Sequence, residues 1–236
     1  MGNIVYGGNN IYGYDIGIIM LDSKFPRVIG DIGNAKTWDF PVLYKVVTGG
    51  TPQKVVLELT HNDIEPFIMA AKELERQGVK VITTSCGFLS LFQKELADSV
   101  NVPVFTSALL MVPMVYRMLK QDKKVGILTA NSNTLTKEHL KAVGADHIPS
   151  IILGLQDEKV FTKFTVENWE QVDTEQCCKE LIEKAVFMRN THPEIGAIVL
   201  ECTNMSPYLK DIQKVVQIPV FDIVSLTNLM VRSLLN

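Results

Sequence analysis

Short β-branched runs alternate with helical patterns along most of the chain. Extended apolar runs fall at Ile16–Leu21, 54–59, 79–84, 102–105, Lys124–Thr129, 149–153, 196–201 and 218–221. Each has a length and residue choice suited to a buried strand. Between most of them the apolar positions recur at three and four residues. In 63–76, Ile64, Phe67, Ile68, Ala71 and Leu74 form one stripe, opened by the capping candidates Asn62 and Asp63 and closed before Gly78. Segments 88–100, 134–143, 173–190, 207–216 and 226–235 read as helices in the same way. Strand and helix in regular alternation predict an α/β chain built on parallel sheet. The exception is 25–51, rich in Gly, Pro and Asp and carrying Trp38 and Phe40. A long stretch without a period is uncommon unless it is functional, so it is expected to form a flap or the contact of a homodimer.

The pattern repeats itself. Val79-Lys-Val-Ile-Thr-Thr-Ser-Cys86 lies in register with Ile195-Gly-Ala-Ile-Val-Leu-Glu-Cys202. A proline follows each cysteine by 17 positions, Pro103 in Val-Pro-Val-Phe and Pro219 in Ile-Pro-Val-Phe. Upstream, Ile16-Gly-Ile-Ile has its counterpart in Val125-Gly-Ile-Leu. Three markers in one order point to an internal duplication. In parallel sheets, functional groups gather where the strands' carboxyl ends feed loops and helix N-termini, and both cysteines stand there. Two lobes related by a pseudo-two-fold axis would bring the thiols into one cleft from opposite sides.

Composition narrows the class without choosing a function. The 236 residues are 47% hydrophobic and carry 23 Lys+Arg against 26 Asp+Glu, a net charge of -3. This leaves no basic surplus for a nucleic-acid partner. The most apolar stretch, 107–119, is interrupted by Pro113 and Arg117 and is shorter than the ~20 residues of a spanning helix, so no membrane partner is expected. The first residues lack the basic and apolar regions of a signal peptide, and Tyr6 stands where a myristoylation motif has Ser or Thr. A cytoplasmic protein is the expectation, with its four cysteines as thiols. Adjacent Cys177 and Cys178 sit inside a helical pattern and read as packing residues.

Cys86 and Cys202 carry the chemistry. A thiol stabilised as thiolate at a helix N-terminus is a base, and a protonated thiol opposite is an acid. With a carbon acid between them, a proton leaves one face and another returns to the opposite face, inverting a stereocentre. The amides of Gly87 and Phe88, those of Thr203 and Asn204 with their side chains, and the Ser85 hydroxyl would hold the substrate carboxylate. Strand alternation sends one of Thr84 and Ser85 away from the cleft, and Ser85 is the expected cleft residue. Ser206-Pro207 suits a helix N-cap and first position, which leaves Thr203 and Asn204 free for substrate. No cofactor is expected. No Gly-x-Gly-x-x-Gly or P-loop is present, and His61, His139, His147 and His192 are scattered outside any metal-binding spacing.

Ile18-Ile-Met-Leu-Asp-Ser23, Ile82-Thr-Thr-Ser-Cys-Gly-Phe88, Val125-Gly-Ile-Leu-Thr-Ala-Asn131 and Val199-Leu-Glu-Cys-Thr-Asn204 resemble, in order, the conserved blocks of the aspartate/glutamate racemase superfamily. The resemblance spans nearly the whole chain. It implies two pseudo-symmetric Rossmann-like (flavodoxin-like) α/β lobes with parallel sheets and an inter-lobe active-site cleft. Residues 1–106 plus 223–236 would form one lobe and 107–222 the other. It also implies Cys86 and Cys202 as the catalytic thiols, with Thr203, Asp22 and Ser23 at the substrate. Asn131 and Thr134 would add polar contacts from the second lobe. Glutamate racemases follow the first cysteine with Asn-Thr and often place His after the Cys-Thr pair, where this chain has Gly87-Phe88 and Asn204.

The reading is therefore a cofactor-independent racemase or epimerase of a small carboxylate, an acidic amino acid first, with hydantoin racemase as a variant. A maleate-type cis-trans isomerase or a decarboxylase of the same fold is the second, in which only one thiol need be nucleophilic. A bilobal small-molecule binding protein without turnover is the alternative from another class.

Overall fold

A computed structural model of the chain describes residues 4 and 6–234; the first residues and Leu235, the expected end of the last helix, fall outside that range. Strands β1 (Ile16–Leu21), β2 (Val42–Val47), β3 (Val81–Thr84) and β4 (Val104–Phe105) form a parallel sheet in the order β2-β1-β3-β4. Strands β5 (Lys124–Thr129), β6 (Ser150–Gly154), β7 (Ile195–Leu200) and β8 (Val220–Phe221) form a second in the order β6-β5-β7-β8. The two orders are the same, so β3 and β7, the strands that precede the duplicated cysteines, hold equivalent places. β1 is buried at every position and β5 at all but its first residue, as expected of central parallel strands covered on both faces.

Helices α1 (Pro52–Leu57), α2 (Glu65–Arg76) and α3 (Gln93–Asp98) follow strands of the first sheet. Then come α4 (Val112–Met118), α5 (Lys137–Ala142), α6 (Lys159–Thr165), α7 (Thr174–Thr191), α8 (Leu209–Val216) and α9 (Ile223–Leu234). The chain passes between the halves twice: the 3-10 helix Ala108–Met111 meets β7, and α9 returns to pack on β3 and on that 3-10 helix. No helix among the described residues is long and apolar enough to cross a membrane.

Two elements differ from the expectation. Residues 54–59 are not a strand: Thr51 caps α1 by accepting the Lys54 amide at 3.4 Å, and Pro52 pre-sets its first turn. The strand β2 lies instead inside 25–51, paired with β1 from Ile16↔Val42 to Leu21↔Val47. As an edge strand mostly half-buried, it carries Lys45 and Tyr44 within its apolar run, which hides the pattern. Trp38, expected in a flap, is packed with its indole N–H on the Ile32 carbonyl (3.3 Å) and stacked on Phe40.

The packing of α6 is settled by a group from another helix. Its own N-cap residue, Glu158, makes no side-chain capping bond. The buried carboxylate of Glu180, on α7, instead accepts the Val160 amide (3.0 Å) and the Phe161 amide (2.8 Å). These are orphan donors of a first helical turn, and a carboxylate there also meets the positive end of the helix dipole. Glu180→Ala should cost about 1–3 kcal/mol in urea unfolding, with Glu180→Gln losing less; equal stability of the alanine variant would show that α6 does not depend on this cap.

Candidate active site

β3 and β7 each run out into a 3-10 helix, Gly87–Phe92 and Thr203–Tyr208, with Cys86 and Cys202 at the two N-cap positions in extended conformation. Both thiols line one enclosed cavity of ≈ 20 Å³. Its walls are mainly apolar, with Phe25, Val56, Phe88 and Val166 among them. The polar lining beside the thiols is Ser85, Thr165, Glu201 and Asn204, and no lining residue is Lys, Arg or His.

The halves touch at the strand ends. Thr203 Oγ1 donates to the Ser85 carbonyl at 2.7 Å. A Cβ on Gly87 would stand 2.3 Å from the Glu201 carbonyl and 2.2 Å from its Oε1, so only glycine permits this approach. Ser85 is turned by its own lobe, its Oγ accepting the Leu21 amide at 2.9 Å. Thr84 points away and donates to the Thr106 carbonyl at 2.7 Å. Asn204 donates through Nδ2 to Asp31 Oδ2 (2.8 Å), while its Oδ1 lies 3.6 Å from Cys202 Sγ.

Glu201 dominates the electrostatics. It is fully buried, with Oε2 accepting from Thr129 Oγ1 at 2.7 Å and Oε1 without a hydrogen-bond partner. Burial pushes its carboxyl up to about 7, against the pull of the Thr129 hydroxyl and the Ala130 amide. Burial also pushes the Cys86 thiol up to about 12, with Glu201 adding to the rise. The Phe88 and Leu89 amides oppose the shift without forming a well-made cap to sulfur. Cys202 is raised further, by burial first and then by Glu201 and Cys86. Both thiols are therefore held protonated at neutral pH.

Of the residues expected here, Cys86, Cys202, Ser85, Phe88 and Asn204 line the cavity. Gly87 and Thr203 form the contact between the halves. Asp22, Ser23, Asn131 and Thr134 do not reach the cavity. Asp22 accepts the Gly49 amide at 3.0 Å, Ser23 accepts from Arg27 at 3.0 Å, and Asn131 Oδ1 accepts the Asn133 amide at 2.9 Å. Thr134 lines a neighbouring pocket with His61 and His139, on the other side of Phe88. The expected cap at Ser206 is also displaced: the 3-10 helix begins at Thr203, Pro207 lies inside it, and the Ser206 hydroxyl is buried without a partner. Sequence reasoning missed Glu201, although a carboxylate ending an apolar strand beside a cysteine was a readable signal. It also missed Asp31 and Phe25, which reach the site from a segment with no period.

Comparison with known proteins places the chain in a family. Residues 70–230 match the family model described as Asp/Glu/Hydantoin racemase. The chain is 30% identical over 233 residues to a dimethylsulfoniopropionate lyase of Durusdinium sp. clade D, covering 94% of this chain and 76% of that protein. It is 31% identical over 231 residues to dimethylsulfoniopropionate lyase 3 of Emiliania huxleyi (strain CCMP1516), covering 94% of this chain and 60% of that one. Among solved structures, allantoin racemase from Klebsiella pneumoniae superposes with a TM-score of 0.64 at 20% identity, covering 93% of this chain and 87% of that chain; this likeness is one of fold.

Two substitutions test the contact between the halves. Because the Glu201 carboxyl is raised to about 7 from an ordinary value of 4.5, its protonation contributes stability below the lower value that is lost as pH rises through the upper one. Glu201→Gln should therefore melt higher than the parent at pH 8.5, by on the order of 3 kcal/mol at most, with the gap closing toward pH 4.5. A pH-independent gap would mean that the carboxyl is ionised throughout. Gly87→Ala should lose activity together with stability, since its new methyl meets backbone; a variant melting with the parent would place the halves farther apart.

Proposed function

The chain belongs to the Asp/Glu/hydantoin racemase family, and from that premise we propose that this enzyme is a lyase acting on dimethylsulfoniopropionate or a close β-onium carboxylate. The observation that carries the reading is the cavity lining: two thiols and one buried carboxylate together with Phe25 and Phe88, with no basic side chain in the lining itself. Methylated cations are recognised by aromatic faces and by a nearby anion. A dimethylsulfonium group suits such walls. The substrate carboxylate then falls to amides at the starts of the two 3-10 helices, whose first N–H groups have no partner within the helix. The names of the two curated relatives support the same substrate.

In this reading Cys86, the thiol faced by the Phe88 and Leu89 amides, is the base. Its sulfur takes the proton from the carbon beside the carboxylate, that C–H pair becomes the new C=C bond, and the C–S bond breaks with its electrons leaving on sulfur. The products are acrylate, neutral dimethyl sulfide and one proton, carried by the thiol and released to solvent. Substrate itself supplies the activation that the raised thiols require. A unit positive charge about 4 Å from a thiolate, at an effective dielectric of about 20, is worth about 4 kcal/mol, roughly three decades of acidity. It also favours ionised Glu201, which then balances the sulfonium. The ≈ 20 Å³ cavity is smaller than such a substrate, so entry requires the Phe25 wall or the Val56–Phe88 side to move.

Racemisation of an acidic amino acid by the same two thiols is the second reading, favoured by the presence of a cysteine on each lobe. One set of incubations separates the two. With dimethylsulfoniopropionate, acrylate by NMR and dimethyl sulfide by gas chromatography should form together, and Cys86→Ser should slow both by at least about a hundredfold. Deuterium appearing at Cα of aspartate or glutamate in D2O, without acrylate from the sulfonium, would replace the lyase with the racemase.

A further inference from the structure

The two thiols are equivalent by duplication but not by surroundings. Asp31, 1% exposed, lies in the segment between β1 and β2. Its Oδ1 accepts from Arg27 Nη1 and from the Gly33 amide, each at 2.7 Å, and its Oδ2 accepts from Asn204 Nδ2 at 2.8 Å. Arg27 is itself held by Ser23 Oγ at 3.0 Å. The seat is specific: Gly30 has φ +101°, and a Cβ there would meet Pro207 Cα at 2.8 Å, so the loop lies directly on the 3-10 helix whose N-cap is Cys202. An ionised carboxylate only accepts hydrogen bonds. Asn204 must therefore turn its NH2 toward Asp31, which leaves its Oδ1 facing Cys202 Sγ at 3.6 Å. That oxygen also only accepts, so the sulfur opposite must carry a proton to satisfy it.

We infer that Asp31 is a positioning residue: by fixing the Asn204 carboxamide with its oxygen on Cys202, it holds Cys202 as a hydrogen-bond-donating thiol and leaves Cys86 as the proton acceptor of the pair. This rests on the cavity being the active site, but not on which substrate fills it. The other groups acting on Cys202 push the same way, for Glu201, Cys86 and Asp31 are all acidic and only the Asn204 amide opposes them. Arg27 favours the thiolate of Cys86.

The test inverts the amide. An amide at position 31 must keep its oxygen on Arg27 and Gly33, so its NH2 faces Asn204, whose own NH2 then turns toward Cys202. In a chain with Cys202 as the sole thiol (Cys86→Ser, Cys177→Ala, Cys178→Ala), thiolate absorbance is followed against pH with and without Asp31→Asn. The expected result is a fall of the Cys202 midpoint by about one pH unit or more that is absent when Asp31→Asn is made in an Asn204→Val background, whereas looser packing or the lost Asp31 charge would lower the midpoint equally in both backgrounds and overturn the assignment. An unchanged or higher midpoint in a folded variant overturns the assignment. Should Asp31→Asn not fold, the S–H infrared stretch of Cys202 in the single-thiol parent serves instead. It should sit at the lowered frequency of a hydrogen-bonded thiol and return to the free value in Asn204→Val; no difference between the two overturns the assignment. Neither measurement uses substrate. A shifted midpoint in a protein that makes no acrylate would retire the lyase reading and keep this one, and acrylate formation with an unmoved midpoint would do the reverse.

Discussion

The contact of two strand ends, Thr203 Oγ1 on the Ser85 carbonyl with Gly87 pressed on the backbone of Glu201, is the constraint on which the rest of the site depends. Each half delivers its cysteine to the N-cap of a 3-10 helix because a parallel strand ends there. Duplication alone would leave two separate strand tips. The missing Cβ at residue 87 lets them meet and turns two tips into one closed cavity. The same closeness seals in the Glu201 carboxylate, whose only hydrogen-bond partners among the described residues are Thr129 and Ala130, and so makes the cavity unfavourable for negative charge.

That penalty organises the chemistry. Three acidic groups share a small volume in which no lining residue is basic; Glu201 raises the proton affinity of both thiols, and Cys86 raises that of Cys202. A site of this kind is inert toward an anion that brings no compensating charge. It responds to a ligand carrying a cation, because one positive charge makes thiol and carboxyl more acidic at once. On the proposed reading the sulfonium is therefore both leaving group and activator, and the base is armed only when something is present to be attacked.

Much of the fold was legible because buried parallel strands have a strong signature. The repeat of Val79-Lys-Val-Ile-Thr-Thr-Ser-Cys86 in Ile195-Gly-Ala-Ile-Val-Leu-Glu-Cys202 located both central tips, and the observed strand orders agree with it. What failed had local reasons. Lys54-Val-Val-Leu reads as a strand by residue type, yet Thr51 and Pro52 start a helix one turn earlier. β2 was hidden by its half-exposed edge position. At the site, Ser85, Phe88 and Asn204 were found from their neighbourhood to the cysteines. Asp22 and Asn131 sit on the right loops, but turn their side chains to amides of those loops. Asp31 carries no readable mark, since what matters about it is a contact made 173 residues away in sequence.

Asp31 also explains how a symmetric ancestor design can become a directional catalyst. After β5 the chain turns through Asn131 to Thr136 and enters α5 directly. After β1 it makes an excursion, through Phe25 and Asp31, before returning as β2. The two connections are equal in length, but the second half's is wound into α5 while the first half's stays mostly open loop, and that loop lies across the second half's cysteine. Phe25 closes the cavity and packs edge-on against Phe164 at 5.0 Å, while Asp31 fixes the amide beside Cys202. A group able to accept a proton from either thiol has no preferred direction; pinning one thiol as donor removes that degeneracy. For racemisation such asymmetry is a handicap, since both thiols must serve as base in turn. For an elimination, which needs one base and never returns the proton to carbon, it costs nothing.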